Sequence, residues 1–302
     1  MQTRKAAIFA ASIAAVLMAS SAIAKASSYS DVIVYGDSLS DNGNLYSAIG
    51  YPPAPYYNGR FSNGPTSIEQ LATQLNVPLY DFAWGGATTG VGNGVDGGSQ
   101  TSLGAFNLPG MLSELAIYSV PPAIVPTSLF VVWGGANDFE VGGSVTTAVS
   151  DIDTIVAALE GEGAQHILVP GLPDLGLTPE FYGNSAATLY SEQFNQGLLS
   201  TLPKNVTYYN TFGLLDAIVA NPAAYGITNV TTPCFNGTTV CSNPSQYLFW
   251  DDIHPTTSTD AIIASQFDGT VTPEPPSMLL LGTGIVGLAA LLRRRTVSLQ
   301  AT

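Results

Sequence analysis

The chain has 302 residues, 46% of them hydrophobic, which is material for one sizeable α/β core. Its formal net charge is -14, and between Ser27 and Thr272 only Arg60 and Lys204 stand against every acidic residue except Glu274. No basic patch remains to neutralise phosphates, which excludes a nucleic-acid partner. Two histidines and two cysteines are also too few ligands for a metal centre, and no fixed-period repeat points to a solenoid or propeller.

At the N-terminus, Arg4 and Lys5 precede an apolar run over residues 6–18 and then a set of small residues. That order is a secretory signal, and both Ala22-Ile23-Ala24 and Ala24-Lys25-Ala26 fit a small-x-small cleavage site. The run is too short for a permanent membrane span, so residues 1–26 read as a signal peptide and 27–270 as the exported domain. Residues 31–35 are a short apolar run closed by Gly36, suited to a buried first strand. Over residues 66–75, Ile68, Leu71, Ala72 and Leu75 recur at helical spacing, and 77–83 read as a second strand. Residues 88–102, rich in Gly, Thr and Ser, form a long loop, either a mobile surface connection or one wall of a substrate cleft.

Residues 128–133 are the clearest strand and stop at Gly134-Gly135. An amphipathic helix over 145–159, a strand over 166–170, a helix over 186–202, a last strand over 206–210 and a closing helix over 256–267 complete the pattern. Such alternation predicts a parallel sheet covered by helices on both faces. In sheets of that kind the chemistry lies beyond the carboxyl ends of the strands. Asp37-Ser38, Gly85-Gly86 and Asn137-Asp138 occupy those positions.

Serine is a poor nucleophile until a base takes its proton. Of the two histidines, His166 opens an apolar strand and reads as structural, whereas His254 sits in the polar turn Trp250-Asp251-Asp252-Ile253-His254-Pro255-Thr256. Asp251, three residues earlier, is spaced so that one turn aims its carboxylate at Nδ1, which fixes the tautomer and leaves Nε2 free to accept the Ser38 proton. Gly86 and Asn137 follow strands and can supply N–H donors to an oxyanion. Cys234 and Cys241 lie in a stretch rich in Gly, Asn, Thr and Pro, and in an oxidising compartment they staple that loop as a disulfide. Arg60, nearly the only base of the domain, ties a loop down through an ion pair, with an anionic headgroup as its other reading.

Five blocks in order resemble the GDSL (SGNH) hydrolase superfamily, in its lipase/esterase branch. They are Tyr-Gly-Asp-Ser-Leu-Ser-Asp at 35–41, Gly-Arg-Phe-Ser-Asn-Gly at 59–64, Phe-Ala-Trp-Gly-Gly-Ala-Thr at 82–88, Gly-Ala-Asn-Asp at 135–138 and Asp-Asp-Ile-His-Pro-Thr at 251–256. The resemblance implies a three-layer α/β/α SGNH-hydrolase (flavodoxin-like) fold with a central parallel sheet of about five strands. It further implies Ser38 as nucleophile, His254 as base, Asp251 as its orienter, and an oxyanion hole from Ser38, Gly86 and Asn137. Neither metal nor organic cofactor is implied. Two departures bear on substrate preference: Asp81 stands where asparagine is common, and Pro65-Thr66 stands where an aromatic-bearing helix start is usual.

Residues 271–302 carry Pro273-Glu274-Pro275, an apolar stretch over 278–292 and then Arg293-Arg294-Arg295. As a helix that stretch rises about 22 Å, short of a roughly 30 Å hydrocarbon core, and flanking arginines make up part of the difference by snorkelling. The three-part arrangement resembles a PEP-CTERM sorting signal, which implies a Gram-negative source, exosortase-type processing and membrane anchoring through 278–292. The expected protein is an exported serine ester hydrolase acting on a lipid or acylated-carbohydrate ester through an acyl-enzyme. It would reside in the periplasm, at the cell surface or in the extracellular matrix. The alternatives are a non-catalytic exopolysaccharide-binding matrix protein on the same fold, or a polysaccharide O-deacetylase or acyltransferase.

Overall fold

Period-two alternation in the strands builds the sheet and assigns its two faces. The computed structural model describes residues 29–272. The expected signal peptide at 1–26 and the apolar stretch at 278–292 lie outside the described residues. Strands β1 (Val32–Gly36), β2 (Leu79–Asp81), β3 (Leu129–Trp133), β4 (His166–Pro170) and β5 (Thr207–Tyr209) form one five-stranded sheet in the order β2-β1-β3-β4-β5. Every pairing is parallel. β1 and β3 are buried along their whole length, as strands covered on both faces must be.

Ile33, Tyr35, Phe130, Val132, Ile167 and Val169 point to one face, where they pack on helices α5 (Val145–Glu162) and α6 (Ser185–Thr201). Val32, Val34, Leu129, Val131, Trp133 and Leu168 point to the other, against α2 (Ser67–Leu75) and α8 (Thr257–Val271). The result is the expected three-layer α/β/α architecture with a five-stranded parallel sheet. Four further helices are α1 (Asn44–Ile49), α3 (Met111–Ile117), α4 (Ala136–Glu140) and α7 (Thr211–Ala220). The first three span five to seven residues, too short to show a helical period in sequence.

The strand order reverses between β1 and β3: the chain leaves β1 for β2 on one side and returns to β3 on the other. In open α/β sheets such a switch point opens a crevice beyond the strand ends. Residues 88–102 fold over that edge as a pinned arch. Thr88, Thr89 and Asn93 are fully buried, and the arch is closed by bridges between Ala87 and Asn93 and between Gly92 and Pro109. At the other edge, β2 is shorter than the sequence suggested, although Phe82 and Trp84 still donate to the carbonyls of Val34 (2.9 Å) and Gly36 (3.1 Å).

Among the described residues no helix is long and apolar enough to cross a membrane. His166 packs edge-on against Tyr29 at the start of β4, remote from the switch point. Arg60 pairs with Glu69 at 2.7 Å and donates to the Asn58 carbonyl at 2.9 Å, so its guanidinium is engaged in holding the 51–64 loop against α2. Glu69 also closes a capping box: it accepts from the Thr66 N–H at 2.9 Å while the Thr66 hydroxyl accepts from the Glu69 N–H. Thr66→Ala removes one half of that box at a buried position. A loss of about 1–2 kcal/mol is expected, readable as a lower urea midpoint with unchanged m-value.

Candidate active site

Ser38 follows the end of β1 in a tight turn, in which the Asp37 carbonyl accepts from the N–H groups of Ser40 and Asp41, each at 3.0 Å. The buried Asp37 carboxyl accepts from the Leu39 N–H at 3.0 Å, and its pKa is pushed up to about 7 by burial. This turn delivers the Ser38 hydroxyl to the crevice.

His254 arrives from the opposite end of the domain, in the loop before α8. The Asp251 carboxylate organises that loop, since its Oδ1 accepts from the N–H groups of Ile253 (3.0 Å) and His254 (2.7 Å). The same carboxylate meets His254 Nδ1 at 2.9 and 2.8 Å through its two oxygens. Nε2 lies 2.7 Å from Ser38 Oγ. Nδ1 thus donates to the carboxylate and Nε2 accepts from the serine. Burial alone would lower the imidazole pKa, but the charge and hydrogen bond of Asp251, helped by Asp37 and Glu140, bring the net shift above the usual 6.5. Burial pushes the Asp251 pKa up, and the His254 charge and hydrogen bonds more than reverse it.

Two aromatic supports of this turn come from the 51–64 loop, and no sequence pattern marked them as its partners. Tyr56, from the Pro-rich 51–57 segment, donates its hydroxyl to Asp251 Oδ2 at 2.7 Å. Phe61 packs on the His254 ring at 4.9 Å between centroids. A disulfide joins Cys234 and Cys241, and the stapled loop pairs with the chain just before Asp251: Cys234 N–H donates to the Phe249 carbonyl at 3.1 Å and Phe235 N–H to the Trp250 carbonyl at 2.6 Å. The Phe235 ring then stacks on Trp250 and meets Tyr56 edge-on.

Ser38, Gly86, Asn137, Asp251 and His254 line one cleft of about 290 Å³. Gly86 has φ of +79°, and a Cβ there would meet Asn93 Oδ1 and Val95 Cγ2, each at 2.5 Å, so only glycine fits. Among the described residues no backbone carbonyl accepts from the Ser38 or Gly86 N–H. Asn137 Nδ2 donates to the Ala87 carbonyl at 2.9 Å, which fixes the amide and leaves its second hydrogen for the cleft or for Asp37 Oδ2 at 3.4 Å. Of the 88–102 arch, Val95 alone reaches the cleft wall.

Glu114 is a feature the sequence reading missed. It is fully buried on α3, and its oxygens accept from the Gly36 N–H at 3.0 Å and the Trp84 N–H at 3.2 Å. Those peptides lie two residues before Ser38 and Gly86. Asp41 Oδ2 likewise takes the Gly85 N–H at 2.7 Å. Two carboxylates therefore hold the peptides one and two residues before the candidate oxyanion N–H groups. Burial pushes both their pKa values up, and the N–H donors hold them back. Nothing in a Met-Leu-Ser-Glu-Leu stretch marks its glutamate as inward-facing. Asp81, the departure from the usual asparagine, is half-buried at the end of β2 with Oδ1 accepting from the Ala83 N–H at 3.0 Å, outside the cleft lining.

Residues 32–267 match the GDSL-like lipase/acylhydrolase family. The chain belongs to that family. Residues 271–295 match the PEP-CTERM protein-sorting motif. Thermolabile hemolysin of Vibrio parahaemolyticus is 26% identical, over 78% of this chain and 62% of its own. Phosphatidylcholine-sterol acyltransferase of Aeromonas hydrophila is 29% identical over 70% of this chain and 67% of its own. Esterase EstA of Pseudomonas aeruginosa is 29% identical over 83% and 49%. The chain thus spans about half to two thirds of the length of these curated relatives. A catalytic mutant of Axe2, an acetylxylan esterase from Geobacillus stearothermophilus, superposes with a TM-score of 0.50 over 83% of this chain and 98% of its own at 12% identity. That likeness is one of fold.

Two outcomes follow for this GDSL-family site, both read in ester turnover. Glu114→Gln places an amide N–H₂ against one of two backbone donors, so kcat should fall about 10- to 100-fold with KM nearly unchanged. Equal losses in KM would instead indicate a damaged binding surface. Glu140→Gln removes a carboxylate that raises the His254 pKa to the extent that it is ionised, its own pKa being pushed up to about 7 by burial. With His254 in the expected role of neutral base, the acidic limb of kcat/KM should move to lower pH, and a limb that stays put would remove Glu140 from the electrostatics.

Proposed function

We propose that the chain is an exported carboxylic ester hydrolase working through Ser38, His254 and Asp251. The observation that carries this reading is the 2.7 Å contact between His254 Nε2 and Ser38 Oγ, with Nδ1 held by Asp251. His254 takes the Ser38 proton as Oγ attacks the ester carbonyl carbon. The carbonyl oxygen becomes an oxyanion received by the N–H groups of Ser38 and Gly86 and by Asn137 Nδ2. Collapse breaks the bond to the alcohol oxygen, which leaves with the proton from His254, and the acyl group stays on Ser38. Water then gives a proton to His254 and attacks the acyl-enzyme, releasing the acid and restoring the serine. The residues that do this chemistry supply every proton transfer, so the reading calls on neither metal nor organic cofactor.

Export is supported by the PEP-CTERM match at 271–295, by the apolar N-terminal run behind Arg4 and Lys5, and by a disulfide suited to an oxidising compartment. On this reading residues 1–26 are removed and 27–270 act outside the cytoplasm of a Gram-negative cell. The 278–292 stretch holds the chain at the membrane until exosortase-type machinery processes it. The substrate is an ester of a lipid or an acylated carbohydrate.

Ser38→Ala and His254→Ala should each lower kcat on a p-nitrophenyl ester by about 10⁴-fold or more. A fluorophosphonate probe should label the wild type and fail on Ser38→Ala. Near-wild-type turnover in either variant, or labelling that persists without Ser38, would overturn the assignment, and a wild type inert to the probe would favour a binding protein.

A further inference from the structure

Beside the catalytic cleft lies a second cavity that the reaction chemistry leaves unused. It is a narrow slot between α7, α8 and the end of β3, with Leu214, Ile218, Phe249 and Ile263 among its walls and Trp133 at its base. Its volume is about 60 Å³, against about 290 Å³ for the cleft. A single water needs roughly 10–15 Å³, so the slot holds about four to six groups of methylene size.

The polar atoms in its walls are already spent. Thr178 donates its hydroxyl to the Leu175 carbonyl at 2.7 Å, Thr259 to the Leu248 carbonyl at 2.9 Å, and Thr211 to the Gly171 carbonyl. Trp133 Nε1 gives its hydrogen to the same Gly171 carbonyl at 3.2 Å. The threonines therefore have no free donor for a ligand, and the slot offers water almost no partner. It nonetheless borders the cleft, since Leu39, Pro173, Thr178 and Ile253 line both. Leu39 and Ile253 are the chain neighbours of Ser38 and His254, so the slot lies beside the reacting atoms.

Resting on the hydrolase reading above, we infer that this slot receives the acyl chain of the ester, an unbranched aliphatic chain of roughly five to seven carbons with the carbonyl carbon included. The assignment to the acyl side follows from the second half-reaction. After the alcohol leaves, water must take its place beside His254 Nε2, so the alcohol occupies a region that water can enter. The cleft, polar in its lining and with Glu140, Glu180 and Asp252 at its rim, is that region. The group that stays on Ser38 through both steps lies in the dry slot. The carboxylate rim sets a second condition, since an alcohol portion carrying negative charge meets like charge there. The favoured substrate is a neutral or cationic alcohol esterified with a short-to-medium fatty acid, in contrast to an acetylated polysaccharide.

The test is a pair of ester series on the full chain. With p-nitrophenol as the common alcohol, kcat/KM should rise about two- to fourfold per methylene from acetyl to roughly hexanoyl or heptanoyl, then level off. With acetate as the common acid, lengthening a linear alcohol should leave kcat/KM nearly flat. Leu214→Phe and Ile263→Phe, both at partly exposed wall positions, should each cut the octanoyl-to-acetyl ratio by tenfold or more. Two variants are used so that one folding poorly, as read by its Tm, leaves the other to decide. A flat acyl series with measurable acetyl turnover overturns the slot and leaves the hydrolase reading intact. A rise along the alcohol series instead overturns its assignment to the acyl side. Absence of turnover on every ester by a folded protein overturns both.

Discussion

The contact between His254 Nε2 and Ser38 Oγ joins residues 216 positions apart, and the domain is arranged so that it can form. One partner follows the end of a fully buried strand, the other sits on the loop that leads into α8. A serine hydroxyl and an imidazole confer little stability by themselves, since a single hydrogen bond nets about 1 kcal/mol. Their meeting is imposed by the packing of α8 on α2 and on one face of the sheet. It is trimmed by a local turn around Asp251. The stapled 234–241 loop and the aromatic cluster of Tyr56, Phe235 and Trp250 then hold that turn from the solvent side.

An acidic domain with two internal bases cannot neutralise its buried carboxylates by ion pairs, and it uses the backbone instead. Asp41 accepts from the N–H groups of Gly43, Asn44, Leu45 and Gly85. Glu114 accepts from Gly36 and Trp84, and Asp138 accepts from the N–H and hydroxyl of Thr89. Charge-assisted bonds of this kind are short and directional. They fix peptide planes in loops that would otherwise have several orientations, at the strand ends where the candidate oxyanion donors lie. Burial pushes these carboxyl groups toward the neutral form, Asp138 up to about 6, so the same devices tie loop geometry to pH.

The cleft and the slot divide the crevice by polarity. The wider part is polar in its lining and rimmed by carboxylates, and the narrower part is walled by aliphatic side chains and by threonines bonded to carbonyls. On the proposed reading, water, alcohol and protons move through the first, and the second shelters the acyl chain during both half-reactions. A dry wall next to a reacting ester also strengthens the electrostatics of the oxyanion donors, since fewer waters compete for them.

Local pattern was enough for the sheet and its covering helices, because the apolar runs within 31–35 and 128–133 and helical spacing in 66–75 and 145–159 depend only on neighbours in the chain. It was enough too for the Asp251–His254 turn, where three residues set the geometry. The short helices escaped it because they complete fewer than two turns. Glu114 and Tyr56 escaped because burial and partner are properties of the assembled fold, and neither residue type nor spacing records them. The slot is the clearest case. Its walls come from β3, α7, α8 and three loops, each apolar for its own packing reasons. An empty volume between elements is fixed by how whole layers stack, a quantity that no single segment of the chain encodes.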